Sequence, residues 1–287
     1  MNSPLVGIIG GSGLYQLDEL TERKEVTIET PFGSPSDDFV QGKLADRDVV
    51  FVPRHGRGHR LLPTEINHRA NMWALRSLGV RFVICVTAVG SLQEDYHPGD
   101  ILIPDQYYDR TSNRAHQTFF GKGIVAHVSP SAPYSDNLSK RLAETANEAG
   151  YRTHLGGTYL NMDGPAFSSK AESIIHRQLG CDVIGMTNIA EAKLAREAEI
   201  ALATLAMVTD YDCWKPHEEA VTASAAIEVL QANVVKAKEI ICKVISKIPT
   251  EADWPEHSSL ANALATPKDF WPKETIDRLL PLLTPYL

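Results

Sequence analysis

The sequence predicts an α/β fold, a β-sheet carrying helices on its faces. Short apolar runs alternate with longer segments of helical periodicity, and several of the apolar runs end in turns of glycine and small residues. The composition is that of an ordinary globular chain: of 287 residues, 43% are hydrophobic and 22% charged, which suits a buried core and not a disordered chain. No composition break divides residues 1–248, so they read as one α/β domain. Residues 249–287 are proline-rich with short amphipathic pieces, and read as a tail packed on that domain or on a neighbouring subunit.

Val6–Ile9 opens the chain as a buried strand that stops at Gly10 and Gly11. Val49–Val52, Phe82–Thr87, Ile101–Ile103, Val183–Ile184 and Ala201–Val208 are further apolar runs of strand length. Thr64–Leu78 reads as a helix with Thr64 as N-cap and Gly79 as its stop. Ser135–Ala149 ends at Gly150, and Ser168–Leu179, with Ser168 as its cap, ends at Gly180. Ile189–Ala198 follows the turn at 185–188. Thr222–Ile248 is long and amphipathic, with Ile227, Leu230, Val234, Val235, Ile240, Ile241 and Val244 near helical spacing.

Charge and cysteine usage exclude several function classes. Lys and Arg number 28 against 36 Asp and Glu, for a net charge of -8, so a general nucleic-acid binder is not expected. A local Arg or a helix N-terminus can still bind a small anion. No apolar stretch approaches the roughly 18 residues of a membrane span, and the N-terminus lacks the pattern of a secretion signal. A cytoplasmic protein with no membrane partner is the expectation. Cys85, Cys181, Cys213 and Cys242 form no CxxC pair, which argues against a structural zinc or a disulfide scaffold. His55 and His59 are four apart but lack the HExxH pattern and sit among glycines, so no metal site is expected.

The residues suited to chemistry follow the strands. The first strand runs into Gly10-Gly11-Ser12-Gly13, a loop able to aim backbone N–H groups at an anion. It matches neither GxGxxG, nor a P-loop, nor a nucleophile elbow, and a plain glycine turn remains open. The second strand ends in Pro53-Arg54-His55-Gly56-Arg57-Gly58-His59, where Arg54 and His55 are placed to grip an oxyanion, since a guanidinium binds phosphate bidentately. Thr87-Ala88-Val89-Gly90-Ser91 and Gly185-Met186-Thr187 read as two more small-residue turns after strands. Three such turns on one sheet rim make the usual ligand site of an α/β fold, although each alone serves equally as structure. Ala201–Val208 then delivers Asp210 and Asp212, which share a side if the strand continues. Two close acids repel, so one keeps its proton more readily and suits general-acid work. Solvated turn acids are the bland reading. Phe167, beside Ser168, is placed to stack on a base or to be core, and His127 reads as a loop histidine.

Taken in order, GIIGGSGLY (7–15), TPFGSPSD (30–37), PRHGRGH (53–59), TAVGSL (87–92), PGDILIPDQYYDRT (98–111), DGPAFSSKAES (163–173), IGMTNIAEAKLARE (184–197) and VTDYDCWKPHEEAV (208–221) closely resemble the 5′-methylthioadenosine phosphorylases of the trimeric purine nucleoside phosphorylase family. The resemblance runs from about Val6 to Val244. TDYDCW and the RHG loop are specific to it, and GGSG is not. It implies a single α/β domain with a central mixed, twisted sheet flanked by helices. It also implies a homotrimer that uses inorganic phosphate as co-substrate, without metal or organic cofactor, to release adenine and 5-methylthioribose 1-phosphate.

By motif position, the resemblance assigns Ser12, Arg54, His55, Thr87, Ala88 and Thr187 to phosphate and Met186 to the ribose. Phe167 and Ser168 fall on the base side. Asp210 and Asp212 are the pair that reads and protonates the purine, with Tyr211 between them in the substrate-binding stretch. His127 resembles a residue lent by a neighbouring subunit to the 5′ pocket, with the stretch around Ala223 and Ala226. The chain departs from the usual pattern near the base and the 5′ group. Asp163-Gly164-Pro165-Ala166-Phe167 stands for Glu-Gly-Pro-Arg-Phe, Ile189-Ala190-Glu191 for Val-Pro-Glu, and alanines stand at 223 and 226 where valines are frequent. Two rivals follow. One is a sibling enzyme that prefers 6-oxopurines, against which Asp210 argues because a carboxylate accepts from a 6-amino group. The other is a non-catalytic nucleoside-binding protein, in which two acids opposite an anion loop have no purpose.

Overall fold

The computed structural model describes all residues except 1–5, 12–13, 15–16, 216–222 and 252, and only the backbone of 223–228, 230 and 231. Among the described residues, eleven strands form one mixed sheet. Its spine is β1 (Val6–Gly10), β4 (Arg47–Pro53), β5 (Phe82–Ser91) and β11 (Ala201–Asp210), all parallel to their neighbours in this group. These are the continuous apolar runs of the sequence, buried on both faces as parallel strands are. The sequence pattern does not reveal β2 (Thr21–Val26), β3 (Phe39–Leu44), β7 (Gln106–Asp109), β8 (Thr153–Leu155) or β9 (Thr158–Asn161). β2 is exposed along most of its length and reads as TERKEV, a polar edge with no apolar signal. The short β6 (Ile101–Ile103) and β10 (Val183–Gly185) complete the sheet.

Side chains alternate between two cores, as strand geometry demands. Val6, Ile8, Phe82, Ile84, Val86, Ala203, Leu205 and Met207 face one core, shared with α2 (Asp136–Glu148) and the long helix Ala223–Ile245. Ile9, Val83, Cys85 and Leu202 face the other, covered by α1 (His68–Ser77) and the helix Asn188–Glu197. We number the helix Lys170–Gln178 α3, Asn188–Glu197 α4 and Ala223–Ile245 α5. Residues beyond 248 place Trp254 against the first core and Leu260, Leu279, Leu282 and Leu283 in the second.

Several boundaries differ from the sequence expectation. Thr64 does not cap α1. It lies in the short 3-10 turn Pro63–Glu65, and the side chain of Asn67 accepts from Ala70 N instead. Ser169, not Ser168, caps α3, in a reciprocal capping box with Glu172. In α5 the buried face carries Asn233, Ala237, Ile240, Ile241 and Val244, while Val235 is 66% exposed because it falls off that stripe. Thr222, Ile227 and Leu230 fall where side chains or whole residues are not described.

The largest difference positions the site. Thr87–Ser91 is not a turn: β5 runs through it to Ser91 because β11 pairs with it from Phe82 to Gly90. On its other side β5 pairs with β1 only as far as Cys85, then with β10, antiparallel, at Gly90 and Ser91. Residues 86–89 therefore have one edge free of sheet partners. A gap of this kind, where neighbouring strands part, is where α/β sheets place ligands.

Candidate active site

Arg54 continues directly from β4, with its backbone N–H donating to Gly10 O at 2.9 Å. Its side chain fills the gap beside β5. Nη1 donates to Val86 O at 2.8 Å, Nε to Glu191 Oε1 at 2.5 Å, and Nη2 to Glu191 Oε2 at 3.0 Å and to Ile9 O at 3.5 Å. Both side chains are almost wholly buried. Burial by itself opposes the charge on Arg54, but the facing carboxylate outweighs it and raises the guanidinium pKa. Burial likewise opposes the charge on Glu191, and Arg54 holds its carboxyl below the usual range. Glu191 sits in the first turn of α4, where an acid usually complements the helix dipole, and this hid its partnership in the sequence.

The histidines around this pair are neutral. Burial pushes His55 down to about 4, helped by the Arg54 charge, and its Nδ1 pairs with Leu61 O at 2.9 Å. Burial also pushes His68 down to about 4. Its Nδ1 lies 3.8 Å from Glu191 Oε1 and has no hydrogen-bond partner. Thr187 is the N-cap position of α4, yet its side chain makes no cap bond. Thr87 and Thr187 are buried, whereas Ala88 is exposed between buried neighbours and faces the opening. Ser12 lies outside the described residues. Met186 and Thr187 line a cleft together with His68, Asn161, Asp163 and His116. Asp163 ties the far wall down: Ser112 donates to it through its backbone N–H at 3.0 Å and its hydroxyl at 2.7 Å.

The two acids meet in a way the strand rule did not anticipate. β11 ends at Asp210, and Asp212 lies in a turn with a φ of 53°. They come together because the backbone N–H of Asp212 donates to Asp210 Oδ1 at 2.7 Å. Both stand over Gly90: a Cβ there would lie 2.9 Å from Asp210 Oδ1 and 3.3 Å from Asp212 Cβ. That close approach, and not a turn, is what the glycine is for. Burial raises the pKa of Asp210, and the Asp212 charge adds to the rise, while hydrogen bonds from Thr209 and from Asp212 N oppose it. Thr209 Oγ1 is 2.6 Å from Asp210 Oδ2 and 3.2 Å from Val89 O. The hydroxyl donates to Asp210 at the shorter of the two distances, which favours the ionised carboxylate. Asp212 Oδ2 is buried with no partner.

The remaining expected residues divide. Ser168 is brought to the acids by Cys213, whose thiol donates to Ser168 O at 3.2 Å. Phe167 is 50% exposed, so it is not core and its ring is open to a ligand. Tyr211 turns away: its ring packs with Leu92, Leu160, Ile184 and Trp214, and its hydroxyl pairs with His97. His127 is tied through its backbone to Ala263 O at 2.8 Å, and no described hydrogen bond or ion pair joins it to the other site residues. Ala223 and Ala226 lie in the first turns of α5, where only backbone is described. Sequence reasoning missed Glu191, His68 and Thr209 as members of the site. For Thr209 the signal was present, a hydroxyl directly before the first acid.

The chain is similar to known proteins over nearly its whole length. The model of the phosphorylase superfamily matches residues 5–246. An S-methyl-5′-thioadenosine phosphorylase of Geobacter sulfurreducens is 50% identical over 96% of this chain and 96% of its own. One from Hyperthermus butylicus is 51% identical over 86% of this chain and 90% of its own. A crystal structure of a methylthioadenosine phosphorylase from an antarctic soil metagenomic library superposes with a TM-score of 0.94 at 48% identity, covering 99% of this chain and 100% of that one. Methylthioadenosine phosphorylase from Schistosoma mansoni, in complex with adenine, gives 0.85 at 35% identity over 93% and 99%.

Proposed function

The chain belongs to the phosphorylase superfamily, and from that premise we propose that it cleaves S-methyl-5′-thioadenosine with inorganic phosphate, yielding adenine and 5-methylthioribose 1-phosphate. The observation that carries this reading is the placement of two unlike groups along one strand. Arg54 bonds to Val86 O near the middle of β5, and the two acids stand over Gly90 near its end. Val86 and Gly90 are four strand steps apart, about 13 Å of extended chain. An anion site and a proton donor along one strand suit the two ends of a glycosidic displacement.

In the proposed reaction, Asp210 carries the proton that adenine needs as it leaves, delivered toward N7. Burial, aided by the Asp212 charge, raises the pKa of Asp210, the direction this role requires. Asp212, with its bare Oδ2, accepts from the 6-amino group. The sugar gains positive charge as the bond breaks. Phosphate held by Arg54, the Thr187 hydroxyl, Thr87, Ala88 and Ser12 stabilises that charge and captures it. His55 lies against this anion site, Met186 packs on the ribose, and Phe167 with Ser168 flanks the base. No cofactor enters the scheme, since proton and nucleophile come from a carboxyl and from phosphate.

We place the enzyme in the cytoplasm as a homotrimer. Four free cysteines support a reducing compartment, and no described helix is long and apolar enough to cross a membrane. His127 has no described link to its own site, which supports its serving a neighbour's 5′ pocket beside Ala223 and Ala226. The test is release of the free base, adenine from methylthioadenosine and adenosine and hypoxanthine from methylthioinosine and inosine, each with and without phosphate. Phosphate-dependent release, fastest from methylthioadenosine, is expected. Release without phosphate, or faster cleavage of the 6-oxopurines, would overturn the reading.

A further inference from the structure

The edge of a guanidinium that grips an oxyanion with two parallel bonds is its Nε–Nη2 edge or its Nη1–Nη2 edge. In Arg54 the first is taken by Glu191, at 2.5 and 3.0 Å. Val86 O takes one Nη1 proton and Ile9 O faces the second on Nη2. Of five N–H groups, four are directed at partners on the chain, which leaves a single Nη1 proton for an incoming anion. The charge is equally committed. Arg54 and Glu191 cancel, His55 and His68 are neutral, and the thiol of Cys85, which also faces Glu191, is pushed up by burial. The buried cluster thus has no net positive charge, although phosphate arrives as an anion.

We propose that Glu191 is a positioning residue and resident counter-anion of the phosphate site. It holds Arg54 in place, and by neutralising it keeps the hold on phosphate loose enough for the sugar phosphate to leave. This rests on the reading above that Arg54 faces phosphate. An unopposed buried guanidinium attracts a dianion strongly, and tight binding of ground states slows turnover when a charged product must depart. The neighbouring His68 is suited to the arrangement, because its unpartnered Nδ1 at 3.8 Å neither competes for Arg54 nor adds charge.

The test compares Glu191→Gln with Glu191→Ala. Gln keeps an acceptor for Arg54 Nε, removes the charge, and places its NH2 where Oε2 accepted from Nη2. In Glu191→Gln the phosphate KM should fall at least about threefold, with kcat lowered and the nucleoside KM unchanged within about twofold. In Glu191→Ala, which frees Arg54 to move, the phosphate KM should rise about tenfold or more. If Gln raises the phosphate KM as Ala does, or moves both KM values together, Glu191 is structural and the proposal fails.

Losing a buried partner destabilises the chain, so a second readout is thermal stability titrated with inorganic phosphate alone. The Glu191→Gln midpoint should start lower and rise more with phosphate than the wild-type midpoint. An equal or smaller rise, or an insoluble variant that phosphate does not recover, counts against the proposal. Wild-type adenine release that does not depend on phosphate would instead sink the functional reading, which the phosphate titration does not probe.

Discussion

The backbone N–H of Asp212 donates to Oδ1 of Asp210 at 2.7 Å, and this bond makes the two acids unequal. Asp210 has both oxygens engaged, the second at 2.6 Å from the Thr209 hydroxyl. Asp212 keeps Oδ2 buried and bare. Burial outweighs those two bonds and raises the pKa of the first, while the second has an oxygen open to receive a hydrogen bond.

Base choice follows from that inequality. Asp212→Asn keeps size, loses the acceptor proposed for the 6-amino group, and gains an NH2 able to face a carbonyl oxygen. It should lower kcat/KM for methylthioadenosine at least about tenfold, with the 6-oxo analogue less affected or improved, since a mismatched buried polar group is left unpaired. Equal losses on amino- and oxopurines would make the carboxylate generic.

The pH profile tests the proton directly. Asp210 acts in its protonated form, so activity falls as pH rises through its pKa. The Thr209 bond lowers that pKa. Thr209→Val removes it and should move the alkaline limb of the kcat profile to higher pH. A limb that stays in place, or moves to lower pH, means another group carries the proton.

Arg54→Ala should raise the phosphate KM and cost about 2–4 kcal/mol in kcat/KM, the scale of one lost partner in a buried charged bond. Nucleoside binding measured without phosphate should change less. The variant should also lose about 3–5 kcal/mol of stability, because Glu191 is left buried and unpaired. Unchanged phosphate kinetics would remove this loop from the site.

The 5′ pocket is expected to be roomy. With alanines at 223 and 226, bulkier 5′-alkylthio adenosines should be accepted, each methylene worth about 1–3 kcal/mol in an apolar pocket. Competition kinetics among methyl-, ethyl- and butylthioadenosine would measure this. Preference for adenosine over methylthioadenosine would contradict an apolar pocket.

Glu197 supplies a stability test away from the chemistry. Burial lifts its pKa from 4.5 to about 7, against opposing bonds from Phe119 N and the Thr118 hydroxyl. The folded state therefore holds a proton that the unfolded chain releases, and stability falls as pH rises from about 4.5 through about 7. Glu197→Gln has no such proton. Relative to wild type it should gain up to about 3 kcal/mol between pH 4.5 and pH 8 in denaturant unfolding. Parallel pH dependence in the two proteins would assign the slope elsewhere.

Several features were legible from the residues because they depend on local chain chemistry. Continuous apolar runs announced β1, β4, β5 and β11, since a strand buried on both faces has no polar side. Ser135 and Gly150 marked the ends of α2 through a side-chain cap and a φ of 84°. The side chains of the Arg54 loop and of the two acids suggested anion and acid chemistry, while the ribose and base roles of Met186 and Asp210 were implied only by the family resemblance. Polar β2 and three- or four-residue strands such as β8 and β9 were not legible, since their pairing comes from neighbours and not from their own pattern.

What the amino-acid order determined by itself was the set of groups: an arginine after one strand, two acids after another, an α/β framework to carry them. Only the tertiary structure decided how those groups are charged and joined. Arg54 and Glu191 are 137 positions apart, and no local pattern links them. They pair because β1 and β5 part after Cys85 and α4 begins beside the opening. Asp210 and Asp212 were expected to meet by strand alternation, yet a bulge and a left-handed turn bring them together over Gly90. Distance and burial set the strength of an electrostatic interaction, and both are properties of the folded chain rather than of its sequence.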